Sequence, residues 1–238
     1  MASKPMTAEM HPGPGFRIRK TIARPTAELV AAIGEFQTAV ISDGLNRLYT
    51  MSPAIRCLTP GRQRILGPAC TVKVFPGDNL MVHKSLDIAA PNDVVVVDAG
   101  GSSMNAVLGD LVCTKARHRG LAGFVVDGYI RDLAGVLTLG YPVYARGATP
   151  IGPLHRGPGE INHPIQCGGV VVHPGDIIVG DESGVVVVPR EYAALLVRRL
   201  RERQKAEADY VAAVARGQFS NAWVDRILAE GGCEIEES

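Results

Sequence analysis

Four consecutive valines, Val94 to Val97, follow the turn sequence Pro91-Asn92-Asp93 and precede Asp98-Ala99-Gly100-Gly101. A run this short cannot make a helix, and it is apolar on both faces, as a strand covered on both sides of a parallel sheet must be. A parallel strand reaches its neighbour only through a crossover, and the following residues supply one. From Asn105 to His118, Leu108, Leu111, Val112 and Ala116 recur at helical spacing. Lys115, Arg117, His118 and Arg119 occupy the last turn, and Gly120 is the stop. Leu121–Val126 is the next expected strand, Asp127-Gly128 a turn, Asp132–Leu139 a short helix ending at Gly140, and Tyr141–Ala145 a third strand. This order, with short connections, predicts a right-handed βαβαβ unit in an α/β fold.

Around that unit the chain is less regular. Residues 1–24 are polar and rich in Pro and Gly, which predicts an arm; residues 25–217 read as a single domain, and 218–238 as a tail. Leu29, Val30, Ile33, Phe36, Val40 and Ile41 predict one helix, N-capped by Thr26 and ending near Gly44. Residues 65–75 alternate as a strand and stop at Pro76-Gly77-Asp78. From 149 to 168, repeated Pro and Gly predict a long irregular loop, of the kind that is functional or interfacial. Strands follow at Gly169–Val172, Asp176–Val179 and Val185–Val188, and Arg190–Arg216 reads as one long amphipathic helix.

Composition excludes several function classes. With 46% hydrophobic residues in 238, the chain can bury a substantial core. Twenty-five Lys and Arg against 24 Asp and Glu leave a net charge of +1, without the basic surplus that nucleic-acid binding demands. No apolar stretch approaches the ~20 residues of a membrane-spanning helix, and residues 1–24 lack the apolar core of a secretory signal, so a cytoplasmic location is expected. Five widely spaced cysteines with no Cys-x-x-Cys predict buried reduced thiols rather than disulfides or zinc.

Ligands of open α/β sheets collect beyond the carboxyl ends of parallel strands. The corner after the first strand leads to Gly109-Asp110-Leu111-Val112, and that after the second to Arg131-Asp132. If a helix starts at Gly109-Asp110, the free amides of Leu111 and Val112 can hold a small carboxylate, and Arg131 can complete the grip. Each residue also has an ordinary structural explanation. Asp110 and Asp132 stand where helix N-caps belong, and Arg131 beside Asp132 can be a surface pair worth ~0–1 kcal/mol. Together, two acids and an arginine at consecutive strand ends favour a site.

Asp110, twenty residues and then Arg131-Asp132 resembles the Asp-x20-Arg-Asp signature of the class II pyruvate aldolases of the RraA-like family. That group is typified by 4-hydroxy-4-methyl-2-oxoglutarate/4-carboxy-4-hydroxy-2-oxoadipate aldolase. The surroundings agree: Gly77-Asp78-Asn79-Leu80, the segment from Val95 to Gly101, that from Arg119 to Gly128, and that from Pro174 to Pro189. The resemblance implies a swivelling β/β/α fold, phosphohistidine-domain-like, with a long C-terminal helix. It also implies a homotrimer or homohexamer with active sites between subunits, and a divalent cation, Mg or Mn. By position, Asp132 would be the one direct metal ligand, and Arg131 would contact the pyruvyl oxygens. The amides of Leu111 and Val112 beside Gly109 would hold the carboxylate, and Asp110 would orient a water. A glutamate on the C-terminal helix of the neighbouring subunit matches Glu207 best and Glu202 second.

The implied reaction releases pyruvate from a 4-hydroxy-2-oxo acid through an enolate, with oxaloacetate decarboxylation alongside. The rival within the family is a non-catalytic regulator that binds the endoribonuclease RNase E. If the 149–168 loop covers the cleft, Glu160, Asn162 and His163 are expected to select the substrate. His155, His163 and His173 lack tight metal-ligand spacing. Among lysines available for Schiff-base chemistry, namely Lys73, Lys84 and Lys115, the last is better explained by the helix dipole.

Overall fold

A computed structural model describes residues 9–59, 61 and 64–236. Its first half runs β1 (Phe16–Ile18), α1 (Ala27–Gly34), α2 (Thr38–Gly44), β2 (Arg56–Cys57), β3 (Ile65–Val74), α3 (Leu80–Ile88), β4 (Val94–Asp98) and α4 (Asp110–His118). There follow β5 (Gly123–Ile130), α5 (Leu133–Leu139), β6 (Val143–Ala148), β7 (Gly159–Ile161), β8 (Ile165–Cys167), β9 (Val170–Val172), β10 (Ile177–Asp181) and β11 (Gly184–Val188). After a single 3-10 turn, α6 (Ala193–Ala215) and α7 (Ala222–Glu230) end the chain. Residues up to Val197 form one compact unit, and those from Arg198 a second. Among the described residues no helix is long and apolar enough to cross a membrane.

The valine run sits where its composition demands. β4 lies between β3 and β5, parallel to both, and β6 extends the parallel set beyond β5. Because side chains alternate across a strand, Val95 and Val97 enter a core with Met81 and Leu86 of α3, Val112 of α4 and Val136 of α5. Val94 and Val96 enter a second core with Ile178 of β10, Val185 and Val187 of β11, and Ile165 of β8. Helices thus cover one face of the sheet and antiparallel strands the other, which makes three layers. Each fully buried valine contributes about 1.5–3 kcal/mol of transfer free energy.

Several boundaries differ from the sequence expectations, each for a tertiary reason. The single helix expected from Thr26 to Gly44 is two. Thr26 does cap α1, accepting from the Leu29 amide at 3.3 Å. The chain then breaks at Gln37, because Asp181 of β10 accepts from the Thr38 amide at 2.9 Å and from its hydroxyl at 2.6 Å, capping a new helix. The helix expected from Asn105 begins only at Asp110, since Ala106 and Val107 donate instead to Ile151 and Tyr129 carbonyls, at 2.8 and 2.9 Å. Asp127-Gly128 is no turn: β5 runs on to Ile130 through a bulge between Val126 and Tyr129. The third strand lies at 143–148 rather than 141–145. Nor is the 149–168 segment wholly irregular, because β7 pairs with both β3 and β1. Residues 13–24 are bound to the core by β1 and by Arg24, whose guanidinium holds the buried Asp93 at 2.9 and 2.7 Å.

Candidate active site

The turn Gly77-Asp78-Asn79, which links β3 to α3, ties a distant loop over the carboxyl ends of the strands. Leu154 donates to the Gly77 carbonyl at 2.8 Å, and the Asn79 amide donates back to Leu154 at 3.0 Å. The buried Asp78 carboxylate accepts from the Leu80 amide at 2.8 Å and from the Arg156 amide at 2.5 Å. On the other side Asn105 donates to the Gly152 carbonyl at 2.8 Å. The loop is thereby laced down, and beneath it lies a cavity of about 230 Å³.

Four elements line this cavity. α3 and its preceding turn give Asn79 and His83; α4 and the residues before it give Leu108, Gly109, Leu111, Val112 and Lys115; the β5–α5 corner gives Arg131 and Asp132; the loop gives Pro153 and His155. Five residues singled out in the sequence therefore meet in one place: Gly109, Leu111, Val112, Arg131 and Asp132. The first intrahelical bond at the start of α4 joins the Cys113 amide to the Gly109 carbonyl, so the Leu111 and Val112 amides have no partner within the helix.

The capping explanation fails for Asp132. It occupies the N-cap position of α5 but makes no side-chain cap hydrogen bond, and its backbone is left-handed at φ 54°, ψ 39°. Asp tolerates that region better than most residues, at a cost of about 1–2 kcal/mol. The twist leaves the carboxylate on the cavity wall, 3.2 Å from Arg131 Nε, with each side chain 43% exposed. Arg131 is anchored by its own amide, which donates to the Leu108 carbonyl at 2.9 Å.

Three glycines shape the site. A Cβ on Gly109 would stand 2.3 Å from Asp132 Oδ2, and one on Gly152 would stand 2.7 Å from Arg131 Nη1. A Cβ on Gly135 of α5 would meet Asp110 Oδ2 at 2.6 Å. Asp110 therefore faces α5 and does not line the cavity. Gly109 rather than Asp110 is the N-cap of α4. Glu207 is exposed on α6 and pairs with Arg203 at 2.8 Å; Glu202 is exposed on the same helix. Both belong to the second unit.

Contrary to the expectation from the loop sequence, Glu160, Asn162 and His163 do not line the cavity. Glu160 accepts from Arg17 Nε at 2.6 Å and the Gly15 amide at 2.8 Å, Asn162 donates to the Arg19 carbonyl at 2.9 Å, and His163 is buried. Pairing of β7 with β1 and β3 turns these residues away, and Pro153 and His155 reach the cleft instead. The cysteine expectation holds for Cys70, Cys113 and Cys167, which are buried, but Cys57 is half-buried and Cys233 exposed. Burial, with Asp110 nearby, pushes the Cys113 thiol up to about 12, so it supplies no nucleophile at neutral pH.

Among the described residues no group of three or more His, Cys, Asp and Glu is placed to hold a metal. A closed tetrahedral zinc centre is thus not built here. One partly exposed carboxylate, that of Asp132, on the wall of a cavity with room for waters does fit a hard dication that keeps most of them.

A family model described as Aldolase/RraA, RraA-like, matches residues 38–187, more than half of the chain. The chain belongs to the RraA-like family. Among its RraA-like relatives, a Halalkalibacterium halodurans protein named "Putative 4-hydroxy-4-methyl-2-oxoglutarate aldolase" is 43% identical over 167 residues, 70% of this chain and 79% of that one. An Aromatoleum aromaticum protein of the same name is 37% identical over 154 residues, 64% of this chain and 96% of that one. In three dimensions the chain is similar to Streptomyces coelicolor RraAS2, described as an unusual member of the RNase ES inhibitor RraA protein family. The TM-score is 0.72 at 31% identity, covering 80% of this chain and 98% of that one. A Pseudomonas syringae structure of uncharacterised function gives 0.73 at 29% identity, covering 83% and 97%.

Proposed function

We propose that this RraA-like chain is a divalent-metal-dependent aldolase. It would cleave a 4-hydroxy-2-oxo acid of the 4-hydroxy-4-methyl-2-oxoglutarate or 4-carboxy-4-hydroxy-2-oxoadipate type to pyruvate and a second oxo acid. The observation that carries this reading is the meeting, in one cavity, of the uncapped Asp132, the Arg131 guanidinium and two amides without helix partners. The names of the relatives support it.

In this reading Asp132 holds Mg or Mn, the other positions going to waters and substrate. When bound, the dication stabilises negative charge developing on the substrate's 2-oxo oxygen. The chain's own groups do the rest. The Leu111 and Val112 amides, at the positive end of α4, hold the substrate carboxylate. Arg131 faces the pyruvyl oxygens, and its attraction grows as the ketone becomes an enolate, so it lowers the barrier rather than merely tightening binding. Glu207, from the neighbouring subunit of a homotrimer or homohexamer, orients the water that takes the C4 hydroxyl proton and returns one to C3, while Asp110, turned towards α5, stays outside the cavity. Loss of carbon dioxide from oxaloacetate gives the same enolate, so that decarboxylation accompanies the aldol cleavage.

The test is pyruvate release from these substrates with Mg and with EDTA. Turnover that EDTA abolishes and Mg restores is the expected result; no release under any metal condition would overturn the reading. A second reading, a non-catalytic RraA-type regulator of RNase E, is favoured by the likeness to RraAS2. It predicts retention on immobilised RNase E irrespective of Asp132.

A further inference from the structure

The last helix carries an apolar stripe that the chain leaves open. On α7, Trp223, Val224, Ile227 and Leu228 recur at helical spacing, and Trp223 and Ile227 are 55% and 57% exposed. Beyond Leu200 no described residue is buried, and only Ala213 and Val224 are half-buried. A helix of 9 residues does not hold in water on its own propensity; its stability comes from packing its apolar face. That face therefore belongs against a surface.

A complementary surface lies near the other end of the sequence. Met10, Phe16, Phe75 and Pro158 line a groove of about 660 Å³ in which Phe75 stays 60% exposed, with Arg156 on its wall. The charges match as well. From Phe219 onward the chain has five acids against Arg226 alone, whereas from Phe16 to Arg24 it has four bases and no acid. Glu160 and Asp93 neutralise Arg17 and Arg24. Among the described residues Arg19, Lys20 and Arg156 form no ion pair, nor do Glu230, Glu234 and Glu236. Opposite charges flanking two apolar faces favour their association, while so acidic a tail is repelled by an anionic membrane surface.

We propose that α7 of one copy of this chain seats Trp223 and Ile227 in the Met10, Phe16 and Phe75 groove of a second copy, its acidic tail lying along that copy's basic arm. Helix face and groove are different surfaces of one chain, so the contact is head-to-tail, and a closed ring uses each of them once per subunit. Both α7 and the arm that walls the groove lie outside residues 38–187, the part matched by the family model. The contact thus belongs to the segments that flank the shared fold. It goes beyond the aldolase reading and does not depend on the chemistry of the cavity.

Trp223 is the only tryptophan of the chain, so its emission reads the contact directly. The full-length protein is followed by emission wavelength, acrylamide quenching and light-scattering mass. In the wild-type oligomer Trp223 should emit to the blue and be shielded from the quencher. Phe75→Glu, and separately Met10→Glu, should expose it, with a red shift and quenching raised several-fold. Far-ultraviolet circular dichroism identifies a variant that fails to fold, and the other then decides. Trp223→Glu spoils the helix face, keeps the groove and is itself silent. Refolded together with Phe75→Glu, it should shield the Trp223 of that variant again, because an intact α7 then meets an intact groove. Failure to regain shielding in mixed oligomers overturns the proposal, as does a Trp223 exposed in the wild type. Shielding in a species with the mass of one chain, shielding that both groove variants leave unchanged, or shielding that appears only with phosphatidylcholine vesicles overturns it too.

Discussion

At the residue scale the site depends on what Asp132 does not do. It stands at a helix start yet caps nothing, so its carboxylate is available to a cation at the cost of a left-handed backbone. Asp132→Ala should therefore abolish Mg-dependent pyruvate release while leaving the thermal midpoint near that of the wild type, and full turnover in that variant would refute the metal assignment. Gly109 gives a sharper test. Its backbone, φ −149° and ψ −164°, is ordinary extended structure that alanine adopts freely. The obstacle is the Asp132 carboxylate, which a Cβ at this position would overlap and which is the movable end of a side chain. Gly109→Ala should consequently fold, with a crystal structure showing the carboxylate displaced, and lose about 100-fold or more in kcat/KM. Wild-type kinetics in that variant would mean that the position of this carboxylate does not matter. From sequence alone Gly109, Leu111, Val112, Arg131 and Asp132 were legible because they sit at strand ends in a local pattern. Gly135, Gly152 and His155 were not, because their roles arise from elements that meet only in the folded chain.

At the scale of elements the same distinction holds. The parallel strands could be read from valines and turn residues, signals contained within a few positions. The break between α1 and α2 could not, because the group that enforces it, Asp181, lies 143 residues beyond Thr38. Burial disfavours the charged form of Asp181. Hydrogen bonds from the Thr38 hydroxyl and amide and from the Ser183 amide, with Arg64 nearby, outweigh that and hold the carboxyl below its ordinary range. A carboxyl depressed in the folded state stabilises the fold fully above its unfolded value, about 3.9, and loses that contribution as pH falls through the folded value. Asp181→Ala should then lower stability by about 1–2 kcal/mol at pH 7, and the gap from wild type should narrow below pH 4. Denaturant unfolding at both pH values checks this; a gap that stays constant through the acid range would show that the ionised cap is not what holds α2.

At the scale of the whole molecule, the aldolase reading requires a second copy of the chain. The cavity holds one carboxylate from this subunit, Asp132, whereas the acid assigned to water activation, Glu207, belongs to the second unit and is assigned across a subunit boundary. Sites made in this way obey a rule that sites within one chain do not. Asp132→Ala and Glu207→Ala should each be nearly inactive alone, since every site in a homo-oligomer lacks one of the two acids. When the two variants are denatured together and refolded as a mixture, some sites receive Asp132 from one variant and Glu207 from the other. Random association gives both to about a quarter of the sites, so about a quarter of wild-type turnover should return. Activity that does not recover on mixing, although size-exclusion chromatography shows mixed oligomers, would remove Glu207 from the neighbouring site. It would leave the proton transfers to groups of a single subunit, among which the imidazoles of His83 and His155 line the cavity.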